Sequence, residues 1–300
     1  MSGSSRTPVL LGEEEALDQV EDGMTIALGG FNTAAHPMII VRGLIRRGVR
    51  HLRVIGSTIA GLDLDILIGA GVADEVVTSS VTGEALAGVG PFFRGAAEAG
   101  TVRVWEADEG ILYAGLRAAG QGLPFMPWKA GVGTSLPELN PDLKVFRDPI
   151  SNEELLAVPP LKPDIAFVHV SRADVYGLGQ HTGSGFGDRL IHRAADRTII
   201  TTEEIVPNEH IRARPHETSI PYADGVVRAR WGAHPFSSPG HYLVDEAHLL
   251  EYIAAAESAR KGDRGPFELY LERYVTGPQS HEDYLEAVGI RRLLELEEWG

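Results

Sequence analysis

Between Asp22 and Pro37 the chain writes a strand, a glycine turn and a helix in immediate succession, and this order restricts the fold more than any other stretch. Asp22-Gly23 signals a turn. Residues 24 to 28 are apolar enough for a buried strand, and Gly29-Gly30 lets the backbone bend where a side chain would block an approaching ligand. Pro37 suits a first helical position, because its missing N–H would be unpaired there anyway. Ile40, Val41, Leu44 and Ile45 follow at helical spacing, with Arg42, Arg46 and Arg47 on other faces.

The alternation recurs along the chain. Apolar runs at 52 to 55, 75 to 79, 102 to 105, 165 to 170, 198 to 202 and 226 to 229 predict strands, and helices are expected over 62 to 70, 92 to 99, 108 to 119, 188 to 195 and 243 to 261. Buried strands that alternate with helices need cover on both faces, which predicts a three-layer α/β/α fold with a largely parallel sheet. A hydrophobic content of 43% over 300 residues supplies the core. With no repeat or clear linker, one domain over residues 1 to 300 is expected, its last part (from about 241) a helical appendage. Residues 9 to 21 read as an opening helix. Ser171 and Arg172 read as the polar end of one strand, and Glu203-Glu204 as the end of another. The stretch from 123 to 135 is too rich in proline and glycine for a central strand and too apolar for a solvated linker, so a ligand-facing or interface loop is expected. Residues 136 to 163 read as a long excursion over the surface.

Charge and composition remove several classes of function. A formal net charge of −15 repels a nucleic-acid duplex, so no nucleic-acid partner is expected, while an anionic cofactor stays compatible with it. The arginines at 42, 46, 47, 50 and 53, and those at 189, 193 and 197, read as solvated helix faces. Zero cysteines exclude disulfides, thiolate metal sites and a cysteine nucleophile. No apolar run approaches the ~18 residues of a membrane span, and the polar start lacks a leader's apolar core, so a cytoplasmic protein without a membrane partner is expected.

The tempting motifs fail on spacing. Residues 181 to 188 place glycines as G-x-G-x-G rather than the dinucleotide G-x-G-x-x-G. Gly131-Val132-Gly133-Thr134-Ser135 lacks the Gly-Lys pair of a P-loop, and no G-x-S-x-G elbow appears. His234, His241 and His248 recur every seventh residue, but Pro235 and Pro239 break any helix there, so these read as surface or loop histidines and no metal site is expected.

The turn itself, with Asp22-Gly23, the apolar run, Gly29-Gly30-Phe31 and then Pro37, resembles the N-terminal motif of family I coenzyme A transferase α (A) subunits. That motif has a glycine two residues before the proline where this chain has Ala35. Glu109-Gly110, Arg117-Ala118-Ala119, Gly122-Leu123-Pro124-Phe125-Met126-Pro127 and Gly131-Val132-Gly133 are similar to the middle of glutaconate-type A subunits, as is Ala194-Ala195-Asp196-Arg197-Thr198 leading to Glu203-Glu204. The likeness spans roughly residues 10 to 250.

The resemblance implies the coenzyme A transferase fold, shared with sugar-phosphate isomerases, and a two-subunit α₂β₂ enzyme with its site between unlike chains. It implies a coenzyme A thioester as substrate and no tightly bound cofactor. A β-subunit glutamate would attack the thioester and pass through an anhydride to a glutamyl-CoA intermediate. A second branch hydrolyses or cleaves rings on coenzyme A thioesters with an α-chain carboxylate, whose position Glu109 matches; a cap or dipole partner is the competing role for Glu109. A non-catalytic ligand sensor is the third reading. The residues expected at the substrate edge are Gly29, Gly30, Phe31, Asn32 and Ser57, their backbone N–H groups free to hold an anion or oxyanion. Gly30→Val is accordingly expected to obstruct the ligand while sparing assembly.

Overall fold

The computed structural model describes residues 6 to 297. Its spine is a run of parallel strands: β1 (Leu10–Leu11), β2 (Thr25–Leu28), β3 (Leu52–Ile55), β4 (Ala73–Val77), β5 (Arg103–Trp105), β6 (Ile165–Ala173), β7 (Arg197–Ile205) and β8 (Gly225–Arg228). They lie side by side as β1-β8-β7-β6-β2-β3-β4-β5. From β2 the chain winds outward through β3, β4 and β5, then returns to β6 on the other side of β2 and winds away through β7 and β8. The direction therefore reverses between β2 and β6. Open parallel sheets bind ligands outside the carboxyl ends of their strands at such a reversal.

Strand periodicity divides the core between the two faces. On β2, Ile26 and Leu28 join one apolar cluster with the helix α1 (Met38–Arg47), while Ala27 joins the other with Ile55, Ala166, Val168 and the helix Glu109–Gly120. The C-terminal helices complete the first face: Leu249, Tyr252, Phe267, Tyr270 and Tyr274 lie in the same cluster as α1, and the Arg42 guanidinium stacks 3.5 Å from the Tyr284 ring centroid.

Arg42 is thus not on a solvated face. It is buried, donating from Nη1 to the carbonyl of His234 at 2.8 Å. Three other expectations change. The opening helix contracts to Glu13–Leu17, because Leu10–Leu11 pairs with β8 at the sheet edge. Strands β6 and β7 run past their predicted polar ends, since Arg172 pairs with Glu204 and Ala173 with Ile205; Glu203 turns inward and accepts from the Tyr242 hydroxyl at 2.7 Å. The surface excursion contains a hairpin, Lys144–Arg147 against Glu154–Val158, with Met126–Trp128 as its edge strand; Pro127 is tolerated there because an edge residue has no second ladder to serve.

Asp65, in the helix α2 (Leu62–Gly69), ties three helices together. Its Oδ2 accepts from the Tyr252 hydroxyl at 2.6 Å and its Oδ1 from the Phe93 backbone N–H at 2.7 Å. Burial pushes its carboxyl up to about 6 despite these bonds. The folded chain therefore keeps this proton to higher pH than the unfolded chain, and stability falls as pH rises from about 4 to 6. Asp65→Asn is expected to flatten this part of the profile and to raise stability at pH 7.5 by about 2 kcal/mol. Urea unfolding of both chains between pH 4.5 and 7.5 checks it; parallel profiles for the two proteins exclude this origin.

Candidate active site

The turn after β2 is held from every side. Gly29 N–H donates to Phe167 O at 2.8 Å, Phe31 N–H to Ala34 O at 2.9 Å, and Asn32 N–H to Ile59 O at 2.8 Å. Gly30 N–H donates to Asp188 Oδ1 at 3.0 Å. The expected row of free N–H donors is therefore absent from residues 29 to 32, because neighbouring strands and Asp188 consume them. The glycines answer to packing: a Cβ on Gly29 would lie 2.8 Å from Asp188 Oδ1, and one on Gly30, at φ +99°, 2.8 Å from the Ala35 carbonyl oxygen. Ala35, at the position where the resembling motif has glycine, adopts φ 58°, the left-handed conformation that glycine takes without strain.

What the turn offers instead is side-chain chemistry. Asn32 is buried, and its Oδ1 has no hydrogen-bond partner among the described residues. Beneath it, His36 donates from Nε2 to the Asn32 carbonyl at 3.0 Å while Nδ1 meets Asp63 Oδ2 at 2.8 Å, so a buried pair fixes the backbone that carries the open acceptor. Ser57, after β3, is buried and donates to Ile59 O at 2.8 Å. Its neighbour Thr58 meets the Tyr113 hydroxyl at 3.2 Å.

Tyr113 brings the helix Glu109–Gly120 into the same place. It stands one turn after Glu109, on the same face of the helix. A Cβ on Gly187 would touch its ring at 3.2 Å. Asp108 is the helix cap, accepting Ile111 N–H on Oδ1 at 2.7 Å, so Glu109 is released from the capping role. The Glu109 carboxylate is exposed and has no hydrogen bond or ion pair among the described residues.

The glycine-rich loop forms the opposite wall. Asp188, fully buried, also meets His181 Nε2 at 2.9 Å, and His181 Nδ1 meets Ser219 Oγ at 2.6 Å. Phe186 stacks on Phe31 with ring centroids 4.4 Å apart and planes 8° from parallel. Residues 181 to 188 fail as a dinucleotide fingerprint, yet they belong to the crevice. The signal available in the sequence was a buried-type acidic residue closing a run of glycines that lies beyond the central strand.

The histidines at 234 and 248 are a correction. Both are fully buried, and with Asp245 their ligand atoms lie within 4.8 Å of one another. Pro235 and Pro239 keep His234 in a loop, which folds inward onto the Tyr284 hydroxyl at 2.6 Å, while His248 stands in the first turn of the helix Glu246–Arg260 and meets the Tyr270 hydroxyl at 2.8 Å. Burial holds both imidazoles below their ordinary range. Arg292 already neutralises Asp245, donating from Nη2 to Oδ1 at 2.7 Å, so the cluster works as a charged cross-link with little to offer a divalent cation.

An open parallel sheet with a polar crevice at its strand-order reversal defines an α/β enzyme class rather than a particular reaction. The sequence pattern of the family described as "Coenzyme A transferase" matches residues 13–229. The chain belongs to that family and is an A-type member of it. The A-type chain of glutaconate CoA-transferase from Acidaminococcus fermentans is 30% identical over 295 residues, 92% of this chain and 90% of the relative. The solved structure of that organism's enzyme superimposes with a TM-score of 0.89, covering 97% of this chain and 96% of that chain. The cholesterol ring-cleaving hydrolase IpdA subunit of Mycobacterium tuberculosis is 32% identical over 286 residues, 92% of this chain and 95% of the relative. An uncharacterized protein of Archaeoglobus fulgidus is 39% identical over 286 residues, and the chain spans only 62% of that relative's length. No described helix is long and apolar enough to cross a membrane.

Proposed function

We propose that this chain is the α-type half of a two-subunit enzyme that moves coenzyme A between an acyl thioester and a carboxylic acid. The observation that carries the reading is the grouping of Asn32, Ser57, Tyr113 and the 181 to 188 loop around the turn at the β2/β6 reversal, in a chain of this family. In the proposed cycle a glutamate of the unlike partner chain attacks the acyl carbonyl and the coenzyme A thiolate leaves. The thiolate then attacks the resulting anhydride at the glutamyl carbonyl, releasing the acid and leaving a glutamyl thioester; a second acid reverses the sequence. This chain contributes position. Its buried Asn32 places a fixed polar group beside the reacting carbonyl, and Phe31 with Phe186 limits water. Leu123 and Phe125 are each 38% exposed and Val145 49%, an apolar surface that an unlike subunit would cover.

A second reading, hydrolysis or ring cleavage of an acyl-CoA, is favoured by one specific observation, the unpaired Glu109 carboxylate beside Tyr113. The two separate in one experiment. The chain is purified with its β-type partner and given acyl-CoA esters with and without acetate, following new acyl-CoA, free thiol, and borohydride trapping of a partner thioester. Transfer predicts exchange, a trapped partner glutamate, and less than a threefold effect of Glu109→Gln. A trap-negative complex that releases free thiol or a cleaved ring, and loses at least 100-fold in kcat on Glu109→Gln, establishes the second reading instead.

A further inference from the structure

A cavity of about 550 Å³ opens beside the glycine turn, and two of its lining residues, His181 and Ser219, are bonded to each other. Ser219 Oγ lies 2.6 Å from His181 Nδ1, and on the other side of the imidazole Nε2 lies 2.9 Å from Asp188 Oδ2. The three groups come from separate pieces of chain. Ser219 stands on the short strand Thr218–Ile220, His181 follows the strand Gly179–Gln180 that pairs with it across a register shift, and Asp188 opens the helix Asp188–Ala194. A hydroxyl, an imidazole and a carboxylate in this order are the parts of a serine nucleophile with its base and orienting acid, a set recognised by geometry and not by an elbow motif.

The hydrogen bonds assign the protons. Asp188 accepts on both oxygens, from Gly30 N–H at 3.0 Å on Oδ1 and from His181 Nε2 on Oδ2. With its proton on Nε2, His181 turns a lone pair at Nδ1 toward the Ser219 hydroxyl, whose other acceptor, Gly179 O, is farther away at 3.3 Å. Asp188 is fully buried, whereas His181 and Ser219 reach the cavity wall. A Cβ on Gly185 would stand 3.2 Å from His181 Nδ1, so the absence of a side chain there lets the loop backbone run beside that nitrogen. The N–H groups of Gly183, Ser184 and Gly185 have no acceptor among the described residues, and all three residues line the cavity. They are the donors available to an oxyanion formed at Ser219.

We propose that Ser219, His181 and Asp188 form a serine acyl-transfer site that needs no glutamate of a partner chain and acts on esters of small acids that fit the cavity. Ser219 Oγ attacks the acyl carbonyl while His181 Nδ1 takes the hydroxyl proton. The bond to the leaving alcohol then breaks and Nδ1 returns the proton to it. Water, deprotonated by the same nitrogen, attacks the acyl-serine and releases the acid, the proton passing back to Ser219 Oγ.

The full chain, alone and with its β-type partner, is treated with a fluorophosphonate, which bonds to an activated serine oxygen as fluoride leaves, and the labelled residue is located by peptide mass spectrometry. Label on Ser219 is expected. Asp188→Asn keeps an acceptor for Gly30 but places the imidazole proton on Nδ1, where it cannot receive the serine proton, so labelling should slow by about 100-fold or more while thermal unfolding stays with the parent. Equal labelling rates in the two chains would overturn the proposal. Because the chain has no cysteine, Ser219→Cys introduces its single thiol, and alkylation by the smaller iodoacetamide reads the base without the bulk of the phosphonate. That thiol is expected to react about tenfold or more faster than free cysteine at pH 7, an advantage lost in Ser219→Cys/Asp188→Asn. An unlabelled Ser219 together with a thiol no faster than free cysteine would leave the three groups a packing device and defeat the site. Hydrolysis of 4-nitrophenyl acetate by the parent, abolished in Ser219→Ala, tests the substrate class, and an unchanged rate in that variant would overturn it. None of these measurements uses coenzyme A, so their failure and that of the transferase reading are separate results.

Discussion

A chain carrying Gly30→Val is expected to lose stability and activity together, by about 3 kcal/mol or more in unfolding free energy. Two penalties meet at the same atom. Gly30 has φ +99°, where a Cβ crowds its own backbone, and the added atom would also stand 2.8 to 2.9 Å from the carbonyl oxygens of Ala35 and Ala34. Those carbonyls belong to the same tight loop, so no side-chain rotation relieves the contact. Both penalties start at Cβ, hence Gly30→Ala should be nearly as damaging as valine. This differs from the behaviour expected from sequence, in which the branched side chain would have projected into the ligand's path and left the fold intact. Urea midpoints of the parent, alanine and valine chains decide between them. An alanine chain as stable as the parent, with valine folded and inactive, would restore the obstructed-ligand explanation.

The strand–helix alternation was readable because each buried strand is a continuous apolar run and each helix carries its own period; the parallel sheet follows from covering both faces. Boundaries failed where pairing overrode polarity. Glu203 and Glu204 look like a strand end, yet β7 continues because β6 runs beside it, and Glu203 finds Tyr242 and the Trp231 N–H inside. Arg42 looked solvated because three further arginines follow within eight residues, but its guanidinium meets His281 and Tyr284 of a helix that begins 239 residues further along the chain. His234 and His248 were misread for the same reason: their partners, Tyr284 and Tyr270, come from the C-terminal helices, and no local window contains them. The strand, glycine turn and helix around Gly29 and Gly30 were legible because local spacing sets them. That Asp188 and His181 close around that turn was not legible, because their proximity to it is created only when β6 returns to the centre of the sheet.

Asp188 is where that long-range assembly becomes testable. Asp188→Ala is expected to cost about 3 kcal/mol or more, since it leaves a buried Gly30 N–H without an acceptor, strips His181 Nε2 of its partner, and opens a gap against Gly29. Asp188→Asn should be far milder. Its amide oxygen can still accept from Gly30, and its amide nitrogen can donate to His181 Nε2 if the imidazole proton sits on Nδ1. That tautomer is supported by an acceptor already in place: Nδ1 lies 2.6 Å from Ser219 Oγ, and the Ser219 hydroxyl in turn donates to Gly179 O at 3.3 Å. The chain of bonds from Gly30 to Gly179 therefore closes in one direction with asparagine and breaks with alanine. Hydrogen exchange at the Gly30 amide reads this directly, with protection retained in the asparagine chain and lost in the alanine chain, and thermal unfolding should rank parent and asparagine together, above alanine. If alanine matched the parent in both measurements, Asp188 would not be what holds the turn. The turn at the β2/β6 reversal would then be kept in shape by the backbone bonds of Gly29, Phe31 and Asn32 together with the Phe31 and Phe186 stack.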